Sequence, residues 1–356
     1  MSYILKSLAA ATLIADLTSA KLTDAPYFYR SDRPLVVSHR GAFGHAPEES
    51  LASFVDAYYG GADFLELDLQ VSKDNHLMVQ HDSYLNDTTN IYEYGGRWED
   101  MQRDDGRWYV EDFSLAQLKM LRRFQRYQET RSPMLNDRYE MITVNELIEN
   151  VIMLNEDAPR TQNKDTKAGL YIELKDYDNY LTKGWDTAEM LFDVLDHYGL
   201  SNWEDASKKI PIIIQSFDAN ALIKMSTMTD LPLLLLCHDS DVYDYNYISS
   251  FANGVGVPLA WIMKSEKDIG DGDSDYSAYI KQIHKLDMAV HPYTDQDDKL
   301  KYGDNVYDQA ELFVNKGVDG LFLEFPHTQY VILQHLGTKA NFPQSPAVTP
   351  DTAFLN

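Results

Sequence analysis

Phe64-Leu65-Glu66-Leu67-Asp68-Leu69-Gln70-Val71 is the stretch on which the fold turns. Successive residues of a strand point to opposite faces, so Glu66 and Asp68 project inward together when Leu65 and Leu67 pack outward. Short apolar runs of the same kind recur along the chain at Leu35–Ser38, Leu77–Gln80, Leu170–Leu174, Ile210–Ser216, Leu231–Cys237, Gly254–Leu259, Met288–His291 and Gly320–Glu324. Between them lie segments with helical spacing, as in Leu51, Phe54, Val55 and Tyr58, which stop at Gly60-Gly61. Thr143 and Glu146 have the spacing of a capping box and open another, and further helices are expected near 186–198, 218–228, 275–286, 306–316 and 328–336. Strands alternating with helices in this way are βα units of a mostly parallel sheet.

Nine candidate strands in 356 residues favour a closed (β/α)8 barrel of the TIM type over an open sheet. The extra strand is Leu77–Gln80, which follows Phe64–Val71 too closely for a helical crossover. An antiparallel hairpin about Asp74 is expected, and it would bring His81 beside Glu66 or its neighbour. No G-x-G-x-x-G loop follows the first strand, which argues against a doubly wound fold. One stretch, about 82–140, breaks the rhythm: it is long, aromatic and irregular, and reads as an insertion over the barrel mouth with a helix near 114–124. Most of its Tyr and Trp residues are expected to pack a small core of its own.

The single domain expected is thus 33–340, followed by a tail, 341–356. Residues 1–20 read as a short secretory signal, with Lys6 before an apolar run and Thr18-Ser19-Ala20 after it, although Asp16 interrupts the pattern. Export to the periplasm or medium follows from that reading, and a cytoplasmic protein from the alternative of an amphipathic helix. The chain carries 31 Lys+Arg against 56 Asp+Glu, a net charge of −25, which repels nucleic acid and anionic bilayers. No apolar run is long enough to span a membrane. One cysteine, Cys237, excludes an intramolecular disulfide framework and a multi-Cys zinc site.

Ionisable residues gather where the strands end, which is where barrel enzymes build their sites. Glu66 and Asp68 side by side repel unless they share a cation. With Glu173 they make an all-oxygen set suited to Ca2+ or Mg2+, although the same residues could form a buried carboxylate–Lys/Arg network without metal. His39 precedes Arg40, a proton-transfer group beside a cation whose fork fits phosphate oxygens, and His81 closes the third run. Two histidines, an Arg, a Lys and a divalent cation are what in-line phosphoryl chemistry requires.

Taken in order, His39-Arg40-Gly41, Pro47-Glu48-Glu49-Ser50-Leu51, Glu66-Leu67-Asp68, His81-Asp82, Glu173-Leu174-Lys175, Gln215-Ser216-Phe217-Asp218 and Gly317-Val318-Asp319-Gly320 resemble the glycerophosphodiester phosphodiesterase family. Asp105-Gly106-Arg107-Trp108-Tyr109 and His291-Pro292-Tyr293-Thr294 are similar to its bacterial periplasmic branch, and the resemblance covers about 33–335. It implies hydrolysis of small glycerophosphodiesters to sn-glycerol 3-phosphate and an alcohol. Glu66, Asp68 and Glu173 would be the ligands of one divalent cation, His39 and His81 the acid/base pair, and Arg40 and Lys175 the phosphate binders, with Tyr293 lining the glycerol or alcohol side. Competing readings are a phospholipase-D-like enzyme acting on lysolipids or sphingolipids, and a non-catalytic binding barrel. Two positions depart from the family pattern: Glu49 where Asn is usual, and Glu324 where Asp is usual. Both are expected to lie outside the acid/base and metal set. His45, His238 and His284 match no catalytic motif and read as surface or structural histidines.

Overall fold

A computed structural model describes residues 33–157, 167–238, 243–263 and 277–337. The expected leader, 1–20, and the tail, 341–356, lie outside the described residues. All nine expected strands are present: β1 (Leu35–Ser38), β2 (Phe64–Val71), β3 (Leu77–Val79), β4 (Gly169–Leu174), β5 (Ile212–Ser216), β6 (Leu233–Leu236), β7 (Gly254–Pro258), β8 (Ala289–Tyr293) and β9 (Gly320–Leu323). Eight of them run in the order β8-β7-β6-β5-β4-β2-β1-β9, every neighbouring pair parallel. The two ends meet. Asp319 N donates to Val290 O at 3.0 Å and Asp295 N to Phe322 O at 2.8 Å, which closes the barrel between β8 and β9.

Alternation along each strand divides the core in two. Leu65, Leu67, Leu69, Leu170, Ile172, Ile212 and Ile214 face outward and pack against the helices. Leu35, Val37, Phe64, Tyr171, Ile213, Leu234, Leu236, Ala289 and Phe322 fill the barrel interior. The inward positions nearer the C-terminal strand ends are polar, so the interior is apolar below and charged above. That gradient places the site.

β3 lies off that eight-strand path and pairs with β2, antiparallel, with Leu69 opposite Val79 and Gln70 opposite Met78, a register centred on Asp74. Gln80 N continues the ladder to Asp68 O at 2.9 Å, so His81 arrives beside the inward carboxylates as expected. The helix Leu51–Tyr59 starts at Ser50, whose side chain caps Ser53 N. The capping box is present at Thr143 and Glu146, with reciprocal bonds of 2.8 and 3.3 Å at the start of Val144–Asp157.

The insertion has its own small core, built on Met78, Leu85, Ile91, Trp98, Trp108, Val110, Phe113, Leu118, Leu121 and Met141. Its expected helix near 114–124 is corrected: only Leu115–Leu118 is helical. After it the chain extends into isolated bridges, Thr89 with Arg123 and Arg122 with Glu140. Among the described residues no helix is long and apolar enough to cross a membrane.

Candidate active site

Counting in twos up each strand leads to the site. On β2, Phe64 is followed inward by Glu66 and Asp68; on β4, Tyr171 is followed by Glu173, and β2 and β4 pair Asp68 directly with Glu173. All three carboxylates are buried, and one oxygen of each lies within 4.8 Å of the others. Gln215, beside Glu173 on β5, donates from Nε2 to Glu66 Oε1 at 2.9 Å. Lys175 Nζ stands 3.1 Å from Asp68 Oδ1 and 2.8 Å from Glu173 Oε1, a counter-charge inside the cluster.

The turn after β1 brings the cation. Arg40 has a φ of 55°, a conformation uncommon for a side-chain-bearing residue, and its amide donates to Glu66 Oε2 at 2.8 Å. Its guanidinium bonds Glu48 at 3.0 Å and lies 3.5 Å from Asp68. Gly41 follows at φ 79°, where a Cβ would come within 2.7 Å of the Ser53 backbone, so this turn needs glycine.

Each expected acid/base histidine is held by a carboxylate, and each carboxylate by an arginine of the insertion. His39 Nδ1 donates to Glu324 Oε1 at 3.3 Å, and Glu324 pairs with the buried Arg131, itself bonded to Asp298 at 2.8 Å. His81 Nδ1 donates to Asp82 Oδ1 at 2.7 Å, and Asp82 accepts from Arg126 at 2.8 Å. An ionised carboxylate only accepts, so both imidazoles carry their proton on Nδ1 and present Nε2 as the basic atom. Burial raises the Glu324 carboxyl, but the bond from His39 and the charges of His39 and Arg131 outweigh it and bring it to about 2. Asp82 likewise ends at about 2, burial being overcome by His81 and Arg126. Burial and then the Arg40 charge lower both imidazoles, with Lys175 adding to the effect at His81, which reaches about 4. Both are therefore neutral bases near neutrality.

The carboxylate cluster divides. Burial, then the charges of Asp68 and Glu173, raise Glu66 well above its ordinary value. Burial and Asp68 raise Glu49, and Glu173 is raised by burial and Asp68 against the pull of Lys175. Asp68, although buried, is held well below by Lys175, His81 and Arg40. Too many anions share too little solvent, a surplus that a cation relieves. Asp68 Oδ1 and Oδ2 and Glu173 Oε1 have ionic neighbours but no aligned donor, so oxygen lone pairs remain for a hard cation. The donor set fits Ca2+ or Mg2+.

A cavity of about 660 Å³ opens beside these groups, lined by His39, Arg40, Phe43, Tyr127, His238, Pro258, Leu259, Ala260, Tyr293, Thr294, Gln296, Lys301, Tyr302 and Glu324. His39, Arg40 and Tyr293 all line it, and Tyr293 is fixed by a 2.7 Å bond from its hydroxyl to Cys237 O. Lys175 and His81 are not among the lining residues.

Three expectations are corrected. His238 is not merely structural: it lines the cavity and stacks on Phe217 at 4.3 Å, and strand parity from Leu234 and Leu236 could have found it. Glu324 does touch the acid/base set, as the acceptor for His39. Glu49 does touch the metal set: it is fully buried and accepts from Asp68 N at 3.1 Å. Burial and the Asp68 charge push its carboxyl up toward the protonated form, in which it both donates and accepts as an Asn amide does.

The sequence profile of the Glycerophosphoryl diester phosphodiesterase family matches residues 39–328. A glycerophosphodiester phosphodiesterase of Arabidopsis thaliana is 30% identical over 91% of this chain and 94% of its own length. A glycerophosphodiester phosphodiesterase of Haemophilus influenzae is 28% identical over 90% of this chain and 95% of its own. Among solved structures, an Oleispira antarctica phosphodiesterase in complex with the product sn-glycerol-3-phosphate superposes with a TM-score of 0.58. Its identity is 20%, over 84% of this chain and 96% of that one, a likeness of fold.

Proposed function

The chain belongs to the glycerophosphoryl diester phosphodiesterase family and is a glycerophosphodiester phosphodiesterase; from that premise we propose which substrates it takes and how its residues cleave them. It hydrolyses soluble diesters such as glycerophosphocholine and glycerophosphoethanolamine to sn-glycerol 3-phosphate and the free alcohol. The product bound in the Oleispira antarctica phosphodiesterase is of that chemistry. Glu66, Asp68 and Glu173 hold one Ca2+ or Mg2+. When bound, the cation neutralises charge on the phosphoryl oxygens.

The observation that carries this reading is the pair of imidazoles, each fixed through Nδ1 and offering Nε2, at the rim of a buried carboxylate trio. The substrate's glycerol has a free hydroxyl next to the esterified one. Attack from inside the substrate has an effective-molarity advantage of about 10⁵ M or more over bulk water. One imidazole takes that hydroxyl's proton as the oxygen bonds to phosphorus. The other, having first taken up a proton from solvent, protonates the departing alkoxide as imidazolium while its bond to phosphorus breaks. The result is a 1,2-cyclic phosphate, which water opens with the two roles exchanged. Arg40, whose guanidinium lines the cavity, orients the phosphate.

A substrate lacking the adjacent hydroxyl tests the pathway. The deoxy analogue should be cleaved at least a hundredfold more slowly than glycerophosphocholine. Equal rates would mean direct attack by water.

A further inference from the structure

His45, Asp56 and His327 meet beside the barrel, and none of them lines the cavity. They come from the loop after β1, the helix Leu51–Tyr59 and the first turn of the helix Pro326–Gly337. We propose that these three side chains form a second metal site, selective for a transition metal ion of the Zn2+ class and separate from the carboxylate trio.

The geometry is close to what such an ion needs. His45 Nδ1 is 2.8 Å from Asp56 Oδ2, and His327 Nε2 is 3.0 Å from Asp56 Oδ1. One donor atom from each of the three residues lies within 4.8 Å of the others. Tetrahedral zinc with bonds of about 2.0–2.1 Å sets its ligand atoms about 3.3 Å apart, so shifts of a few tenths of an ångström at each nitrogen–oxygen pair suffice. Two imidazoles and one carboxylate suit Zn2+, whereas the oxygen-only trio suits Ca2+ or Mg2+, so the two sites divide the ions by donor chemistry.

The surroundings hold the rings in place. A Cβ at Gly60 would lie 2.7 Å from His327 Cδ2, so the imidazole occupies space that a larger residue would take. Phe325 packs edge-on against His45 at 5.4 Å. The three side chains are 39%, 37% and 33% exposed, leaving a path from solvent and room for a water ligand. An ion here would tie the loop that carries His39, Arg40 and Glu49 to the last helix.

The test titrates Zn2+ into the full chain saturated with Mg2+, by calorimetry, and repeats the titration with Co2+ to read its visible absorption. The intact chain should bind one Zn2+ that His45→Ala and His327→Gln each weaken by more than about a hundredfold, the upper cost of losing a mere outer-shell partner. The Co2+ band should disappear in both variants, while phosphodiesterase activity without added Zn2+ stays unchanged in His45→Ala. Identical Zn2+ binding by the intact chain and His45→Ala would overturn the proposal, as would no binding at micromolar Zn2+. His45 is exposed, so its variant decides the matter even if His327→Gln fails to fold.

Discussion

Asp82 and Glu324 each stand between an imidazole and a guanidinium, and that position makes them more than fillers. A carboxylate that accepts from Nδ1 fixes the ring's tautomer and stabilises the imidazolium when it forms. Removing either imidazole should remove an acid or a base: His39→Ala and His81→Ala should each lower kcat by about 10²–10⁴-fold. Divalent-cation affinity, read by calorimetry, should stay within a few-fold in both, since neither histidine is in the carboxylate trio. Asp82→Asn keeps the shape but offers a donor as well as an acceptor, so the ring can turn over or change tautomer. We expect kcat to fall at least tenfold with KM little changed; an unchanged kcat would show that Asp82 does not set the ring. Arg131 is only 2% exposed, whereas Arg103, paired with Glu111 and Asp112, is 41% exposed. Breaking the buried pair with Arg131→Met should cost about 3–5 kcal/mol in denaturant unfolding. Arg103→Met should cost about 1 kcal/mol or less. Equal costs would mean that the Arg131 pair is already well solvated.

At the scale of elements, strand parity explains both what the sequence disclosed and what it hid. Phe64, Glu66 and Asp68 share the inner face of β2 because the period of a strand is two, and that needed no coordinates. The same count runs from Leu236 to His238 and from Phe322 to Glu324, so two cavity residues were legible in principle. Arg126 and Arg131 were not. They sit in an irregular segment with no period, and their partners Asp82 and Glu324 lie 44 and 193 residues away. The contact between His39 and Glu324 spans 285 residues and exists only because β9 closes the barrel against β1. Closure also governs what the interior tolerates. A Cβ at Gly169 would lie 2.3 Å from the Phe64 ring and 2.6 Å from the Pro211 carbonyl. Gly169→Ala should therefore destabilise the barrel by about 1–3 kcal/mol, the usual cost of overpacking. Adding Phe64→Leu should restore only part of that loss, because the backbone carbonyl remains; a neutral Gly169→Ala would mean that the β2–β4 seam yields easily.

For the whole molecule, the net charge of −25 and the buried carboxylates set how stability depends on pH, and a cation should remove part of that dependence. Glu66, Glu49 and Glu173 are raised above the ordinary 4.5 in the folded, cation-free chain. Between that value and their raised ones the folded state binds more protons than the unfolded chain, so these groups make stability fall as pH rises. His81 works the other way. Its folded value of about 4 lies below the ordinary 6.5, so the unfolded chain binds the extra proton and stability rises with pH across that window. Asp295, raised to about 7 by burial and then Asp297, opposes His81 and lies outside the trio. Contributions common to the bound and free forms cancel in the difference between them. A Ca2+ or Mg2+ ion must displace protons from Glu66 and Glu173 to bind, which removes their share of the downward slope. The rise in Tm on adding saturating Mg2+ or Ca2+ should therefore be small near pH 5 and grow steadily toward pH 8. Chelator should reverse it and abolish activity together, because an ion bound only to the folded state stabilises that state. Asp68→Asn should lose most of the rise at every pH while keeping the same circular dichroism spectrum. A Tm increment that does not change with pH would mean that the ion does not compete with protons at these carboxylates, and full activity after exhaustive chelation would remove the cation from the reaction altogether.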